Sequence, residues 1–153
     1  MCCGGVGGIT EFFSVKSFYE KLLIREEVVH SSSSIWTPEV PRKVHPFSLL
    51  AARAVILAAE NLRMWKIVCI SWCYMCKEAD EDVNHLLLHC ECTMNLWWGM
   101  FGWFGTSWEM PKTVNNLMFC WRRGRRRRCR GMEVVPLAMT WIVWIEKNRR
   151  GFE

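Results

Sequence analysis

Four side chains in a short stretch restrict this chain more than anything else in it: Cys73 and Cys76, then His85, then Cys90. A Cys-x-x-Cys turn is tight enough to aim two sulfurs at one point, and a later His and Cys can complete a four-ligand shell. The spacing therefore predicts one site for a structural zinc ion held by Cys73, Cys76, His85 and Cys90. Such a shell leaves no position for water, so the metal is expected to staple the fold and not to drive hydrolysis. Geometry adds a condition. On an ideal α-helix, residues 85 and 90 lie about 140° apart around the axis, so Cys90 is expected at a distorted turn. His89 is the substitute ligand if the helix continues undisturbed, with Cys69 and Cys92 as weaker reserves. The competing reading makes the cysteines small buried apolar residues and His85 an ordinary histidine.

At 153 residues the chain suits a single domain with its own core and is too short for a polymerase or a two-domain enzyme. Ten tryptophans and a 51% apolar content are hard to hide in that volume. Some of this surface is expected to stay exposed and to mark a partner. Nine cysteines, an odd number, with no signal-like opening, favour a reducing intracellular compartment over a disulfide framework. The apolar stretches 96–108 and 134–145 are interrupted by Gly or Pro and fall short of the roughly 20 residues of a bilayer span. No membrane segment is expected.

Helical periodicity dominates the rest, giving a mainly α fold: a small helical domain stapled by the one zinc site. Residues 1–10, with their many glycines, read as a disordered N-terminal segment, and residues 11–153 as the domain. Within it, 69–98 forms the finger core and 112–153 a C-terminal helical tail. A helix is predicted over 14–29, followed by a serine linker at 31–34. Pro38, Pro41 and Pro46 suggest an extended lead-in to a second stripe, Phe47, Leu50, Ala51, Ala54 and Leu57. A short helix is expected over 60–65. Asp82 can cap a helix from Val83 toward Trp98. Gly99, Gly102, Gly105 and Pro111 predict an irregular stretch, then a helix over 113–121. Past Pro136, Leu137, Trp141, Trp144 and Ile145 form the stripe of a last helix, whose Lys147, Arg149 and Arg150 complement its dipole.

Polymerase and nuclease chemistry needs several carboxylates around Mg2+, but Asp80 and Asp82 are the only aspartates and sit with Glu78 and Glu81 in the finger loop. These acids read as a solvated, capping turn. Nothing in the spacing activates one surplus thiol over another. The chain is read as no enzyme, without a small-molecule substrate. Charge is concentrated elsewhere: Arg122, Arg123, Arg125, Arg126, Arg127, Arg128 and Arg130 lie within nine positions of a chain whose net charge is +5. Such a run can contact the phosphates of RNA or DNA, with Trp121 stacking on a base. Read without a partner, it is a solvated loop or an import signal.

Several ordered pieces carry a family resemblance. FSVKSFYEKL at 13–22, VPRKVHPF at 40–47, CYMCKEADEDVNHLLLHC at 73–90, Trp97, SWEMP at 107–111 and PLAMTWIVWIEKNRRGFE at 136–153 together resemble the zinc-binding domain that follows the reverse transcriptase in plant non-LTR (LINE-type) retrotransposons. The similarity spans residues 11–153. It implies metal ligands at Cys73, Cys76, His85 and Cys90, and an accessory module of a retroelement polyprotein that helps engage RNA or DNA beside a reverse transcriptase domain. Two alternatives stand beside this: a scaffolding module docking a polymerase domain through its Trp-rich face, and a decayed transposon remnant. Leu49 stands where the family usually has Trp, and Phe12 where Gly commonly precedes the FSVKS motif.

Overall fold

The computed structural model describes residues 39–67, 70–123 and 132–152. The predicted segment 1–10, the helix over 14–29, the serine linker, Cys69 and Arg125 to Arg130 lie outside the described residues. Among the described residues the protein is helical, with one isolated antiparallel bridge, Trp72 to Asp80, and no sheet. In chain order the elements are α1 (Val44–Ala52), α2 (Ala59–Met64), a π-helical turn (His85–His89), α3 (Glu91–Trp103), α4 (Val114–Arg123), a 3-10 turn (Met132–Val134) and α5 (Val135–Phe152).

Helix boundaries follow from local chemistry. Pro46 lies inside the first turn of α1, where its missing amide is not needed, so the helix starts earlier than the prolines suggested. Val44, Phe47, Ser48 and Ala51 form its buried face. It ends at Ala54, whose φ of 54° is left-handed. There the amides of Ala54 and Val55 return to the carbonyls of Ala51 and Leu50, each at 3.0 Å, which is the Schellman arrangement. α2 ends the same way at Lys66 with φ 58°, and α3 at Gly105 with φ 60°. Gly99 and Gly102, expected in an irregular stretch, are interior residues of α3. Thr113 starts α4 by accepting the Asn116 amide on its hydroxyl at 3.2 Å.

α5 is the element around which the others assemble. Phe47 of α1 meets Trp141 and Trp144 at centroid distances of 5.2 and 5.6 Å. The buried side of α5 runs through Pro136, Thr140, Val143 and Lys147, so the expected stripe is rotated: Ile145 is exposed, and Trp141 and Trp144 are half-buried. Lys147 is inside the protein and is not a surface partner of the helix dipole. α4 contributes Val114, Leu117, Met118 and Trp121, at helical spacing, to the same core. Trp97, Phe101, Trp108 and Trp121 form an aromatic cluster between α3 and α4, with successive ring centroids 5.3 to 6.4 Å apart. The indole of Trp121 donates to the Met132 carbonyl at 2.7 Å. Trp121 is thus a core residue, and the expected stacking on a base is not open to it. Several apolar side chains do reach solvent, among them Trp103 at 94%, Met64 at 65% and Trp98 at 60% exposure.

The left-handed cap of α2 is a site of removable strain, because an L-residue there places its Cβ against the following carbonyl. Lys66 is exposed, so Lys66→Gly removes that clash without costing core contacts. It should stabilise the fold by about 0.5–1 kcal/mol, read as a higher denaturant midpoint with unchanged slope. A midpoint that falls would mean that the Lys66 side chain contributes more than its backbone costs.

Candidate metal centre

Two short segments converge on the centre. The first runs from Ser71 to Asp82 and folds back on itself: the Cys73 amide donates to the Ala79 carbonyl at 2.7 Å, the Lys77 amide to the Cys73 carbonyl at 2.8 Å, and the Glu81 amide to the Ser71 carbonyl at 2.7 Å. Lys77, directly after the second cysteine, takes a left-handed φ of 63°, which lets the turn close so that Cys73 and Cys76 face the same way. The second segment begins at Asp82, whose carboxylate accepts the His85 amide at 2.7 Å. Asp82 caps this helical start as expected.

The helix does not run on to Trp98. Over His85–His89 it widens into a π-turn, closed by the Cys90 amide donating to the His85 carbonyl at 2.6 Å. A hydrogen bond spanning five residues instead of four widens the turn by roughly one residue, which carries Cys90 back over His85. Cys90 itself is extended, with φ −60° and ψ 135°, and α3 starts immediately after it. This is the distorted turn that the five-residue spacing required. The Leu86 carbonyl next to the break accepts the Thr93 hydroxyl at 2.8 Å, and the Leu87 carbonyl accepts the Trp97 indole at 3.1 Å. Buried carbonyls left without such donors would each cost about 1–3 kcal/mol.

As a result, one ligand atom from each of Cys73, Cys76, His85 and Cys90 lies within 4.8 Å of every other. Cys73 Sγ is 4.0 Å from Cys90 Sγ, and Cys76 Sγ is 3.4 Å from His85 Nε2. Around a tetrahedral zinc ion, with bonds of about 2.3 Å to sulfur and about 2.1 Å to nitrogen, those separations are about 3.8 and about 3.6 Å. These two separations fit zinc to within a few tenths of an ångström, and the donor set as a whole is gathered to within 4.8 Å. Cys73 and Cys90 are fully buried, while Cys76 and His85 are half-buried.

Of the reserve ligands, His89 points away: it is exposed, and its Nε2 lies 3.1 Å from the Lys112 carbonyl. Cys92 donates to the Met75 carbonyl at 3.5 Å and lies outside the cluster.

The thiols are not equivalent. Burial pushes Cys73 up to about 12, against the pull of the Cys76 and Met75 amides. Burial also raises Cys90, opposed by the amides of Cys92 and Thr93. At Cys76 burial acts in the same sense but is outweighed by the amides of Glu78 and Ala79 and by His85, which together bring it down to about 6. Each sulfur therefore faces backbone amides that stabilise negative charge.

Sequence reasoning placed Glu81 with the solvated acids of the loop, and here the structure differs. Glu78 and Asp80 are exposed, but the Glu81 side chain is fully enclosed. Its Oε1 accepts the Ala59 amide at 2.9 Å and lies 3.5 Å from Lys147 Nζ, while its Oε2 accepts the Tyr74 amide at 3.1 Å. Lys147 also donates to the Leu57 carbonyl at 3.1 Å and sits 4.8 Å from the Trp144 ring centroid. No local signal could have found this pair, because its members come from distant parts of the chain. An acid in a polar run, DED at 80–82, reads as solvent-facing unless its partner is known.

Comparison with known proteins agrees with this geometry. The family described as zinc-binding in reverse transcriptase matches residues 13–97, more than half of the chain. A curated Arabidopsis thaliana protein named "Putative ribonuclease H protein" is 26% identical over 89 residues, covering 56% of this chain and 14% of that protein. The chain therefore spans about one seventh of the length of that relative. No solved structure matches the chain. With its three-cysteine, one-histidine cluster inside the matched segment, the chain belongs to the family of zinc-binding domains of reverse transcriptases.

Proposed function

We propose that this chain is a non-catalytic accessory module of the retrotransposon type, in which Cys73, Cys76, His85 and Cys90 hold one structural zinc ion and the arginine run, Arg122, Arg123, Arg125, Arg126, Arg127, Arg128 and Arg130, contacts nucleic acid. The observation that carries the metal half is the convergence of four suitable donors to within 4.8 Å of one another, on a turn shaped to bring them together. Three thiolates and a neutral imidazole fill the shell of the ion, which supplies cross-linking energy to the fold. With four protein ligands the shell would be closed, leaving no position on the ion for a reactive water.

The nucleic-acid half is supported by charge and by family. Seven arginines in nine positions present forked donors suited to phosphate oxygens, and binding of this kind is tolerant of sequence and sensitive to salt. The family is named for reverse transcriptase, a setting in which RNA and DNA are at hand. A second reading, docking on a reverse transcriptase domain, rests on the exposed Trp98 and Trp103, since large aromatic rings dominate protein contacts.

Metal content tests the first half. Purified wild-type chain should carry one zinc per molecule by elemental analysis, and Cys73→Ser should lose most of it. His89→Ala and Cys92→Ser should both retain it, because neither residue joins the cluster; equal loss in all three would reject the assignment of ligands. Electrophoretic retardation of short RNA and DNA tests the second half. Binding at low salt should weaken steeply as salt rises, and replacing the seven arginines by glutamine should abolish it. Equal retardation of the neutral variant would exclude the run, and with no retardation of either, complex formation with a purified reverse transcriptase domain becomes the decisive measurement.

A further inference from the structure

α5 begins at Val135 and ends at Phe152, beyond the segment that the family description matches, yet it holds both residues inside the Cys-x-x-Cys turn. Tyr74 is gripped through its amide by Glu81, whose carboxylate faces Lys147 of α5. Met75 is gripped through its carbonyl, which accepts Arg150 Nη1 at 3.2 Å. The ring of Tyr74 also lies against Gly151, and Lys147 Nζ is 5.7 Å from the centre of that ring. The backbone between the two sulfurs is thus fixed from outside on both of its residues, at Met75 directly by Arg150 of α5 and at Tyr74 through Glu81, which Lys147 of α5 faces.

We infer that α5 is a positioning element of the metal centre, with Glu81, Lys147 and Arg150 setting the aim of Cys73 and Cys76 without touching the ion. The inference rests on the zinc reading above. Ligands held in place before the metal arrives lose less freedom on binding, and groups one shell out typically change metal affinity by roughly 10–100-fold. A salt bridge acting only through overall stability would affect the centre no more than any other core contact does.

Competition for Zn2+ against a chromophoric chelator distinguishes the two cases, with far-UV circular dichroism to follow folding. Lys147→Met and Glu81→Gln should each weaken Zn2+ binding by roughly 10–100-fold. Arg150→Ala, whose side chain is at the surface, should weaken it by a smaller factor while leaving the fold intact. Val143→Ala removes buried volume from the same helix and should lower thermal stability with little loss of affinity. Co2+ supplies a second readout: its tetrahedral absorption bands should shift in Lys147→Met and Arg150→Ala and stay unchanged in Val143→Ala. Wild-type affinity in Arg150→Ala and in Lys147→Met would overturn the inference, as would an equal loss in Val143→Ala. If Lys147→Met does not fold, Arg150→Ala decides alone. A wild-type chain that takes up neither Zn2+ nor Co2+ would instead reject the zinc reading itself.

Discussion

The bond from the Cys90 amide to the His85 carbonyl is where the metal centre and the fold become one object. A regular helix would leave Cys90 on the wrong side of His85, and a loop would leave Cys90 without a fixed direction. Widening one turn solves both problems, but it ends the helix and frees carbonyls in the most buried part of the protein, at Leu86 and Leu87. Thr93 and Trp97, both on the helix that restarts after the break, supply the missing donors. Trp97 then packs on Phe101, and the aromatic cluster reaches α4 from there. The interior around α3 and α4 thus grows out of the repair of a helix broken to place a ligand.

The buried pair Glu81 and Lys147 presents a harder balance. Enclosing each charge costs several kcal/mol, and their attraction alone often fails to repay it. Here the carboxylate also accepts two backbone amides and the ammonium donates to a carbonyl. Hydrogen bonds to charged groups contribute about 1.5–3 kcal/mol each, enough to bring the balance near zero. What the pair adds is location. One carboxylate joins the start of α2, the cysteine turn and α5, and an apolar replacement would fill the same space without fixing any of them relative to the others.

Local chemistry was legible in the sequence, and long-range chemistry was not. The four clustered donors, the cap at Asp82, the last helix beside Pro136 and the need for distortion at Cys90 all follow from spacings of a few residues. The mainly helical class follows from periodicity. The rotated face of α5 did not, because a hidden lysine cannot be told from a solvated one without knowing that Glu81 waits opposite. Trp121 next to the arginine run looked available to a base, but its neighbours in space, Trp108, Phe101 and Met132, are not all its neighbours in sequence. Gly99 and Gly102 read as breakers because glycine disfavours helix by only about 1 kcal/mol, a preference that the packing of Trp97 and Phe101 on either side overrides. Pro46 misled for the opposite reason: it looks like a lead-in and is compatible with a first turn.

The electrostatics of the cluster suit a cation. Burial, with mutual repulsion behind it, favours the thiol form of Cys73 and Cys90, while backbone amides and His85 favour the thiolate of Cys76. That leaves two neutral, weakly hydrogen-bonding groups surrounded by amides aimed at them, an arrangement better suited to anions than to thiols. A divalent ion reverses the preference, since it binds the deprotonated form of each ligand and so favours charge where burial opposed it. The amides that moderate the burial of Cys73 and Cys90 would then be partners of thiolates. Backbone built to receive three negative sulfurs is hard to explain by packing alone, because cysteines serving as small apolar residues have no use for the amides that surround them.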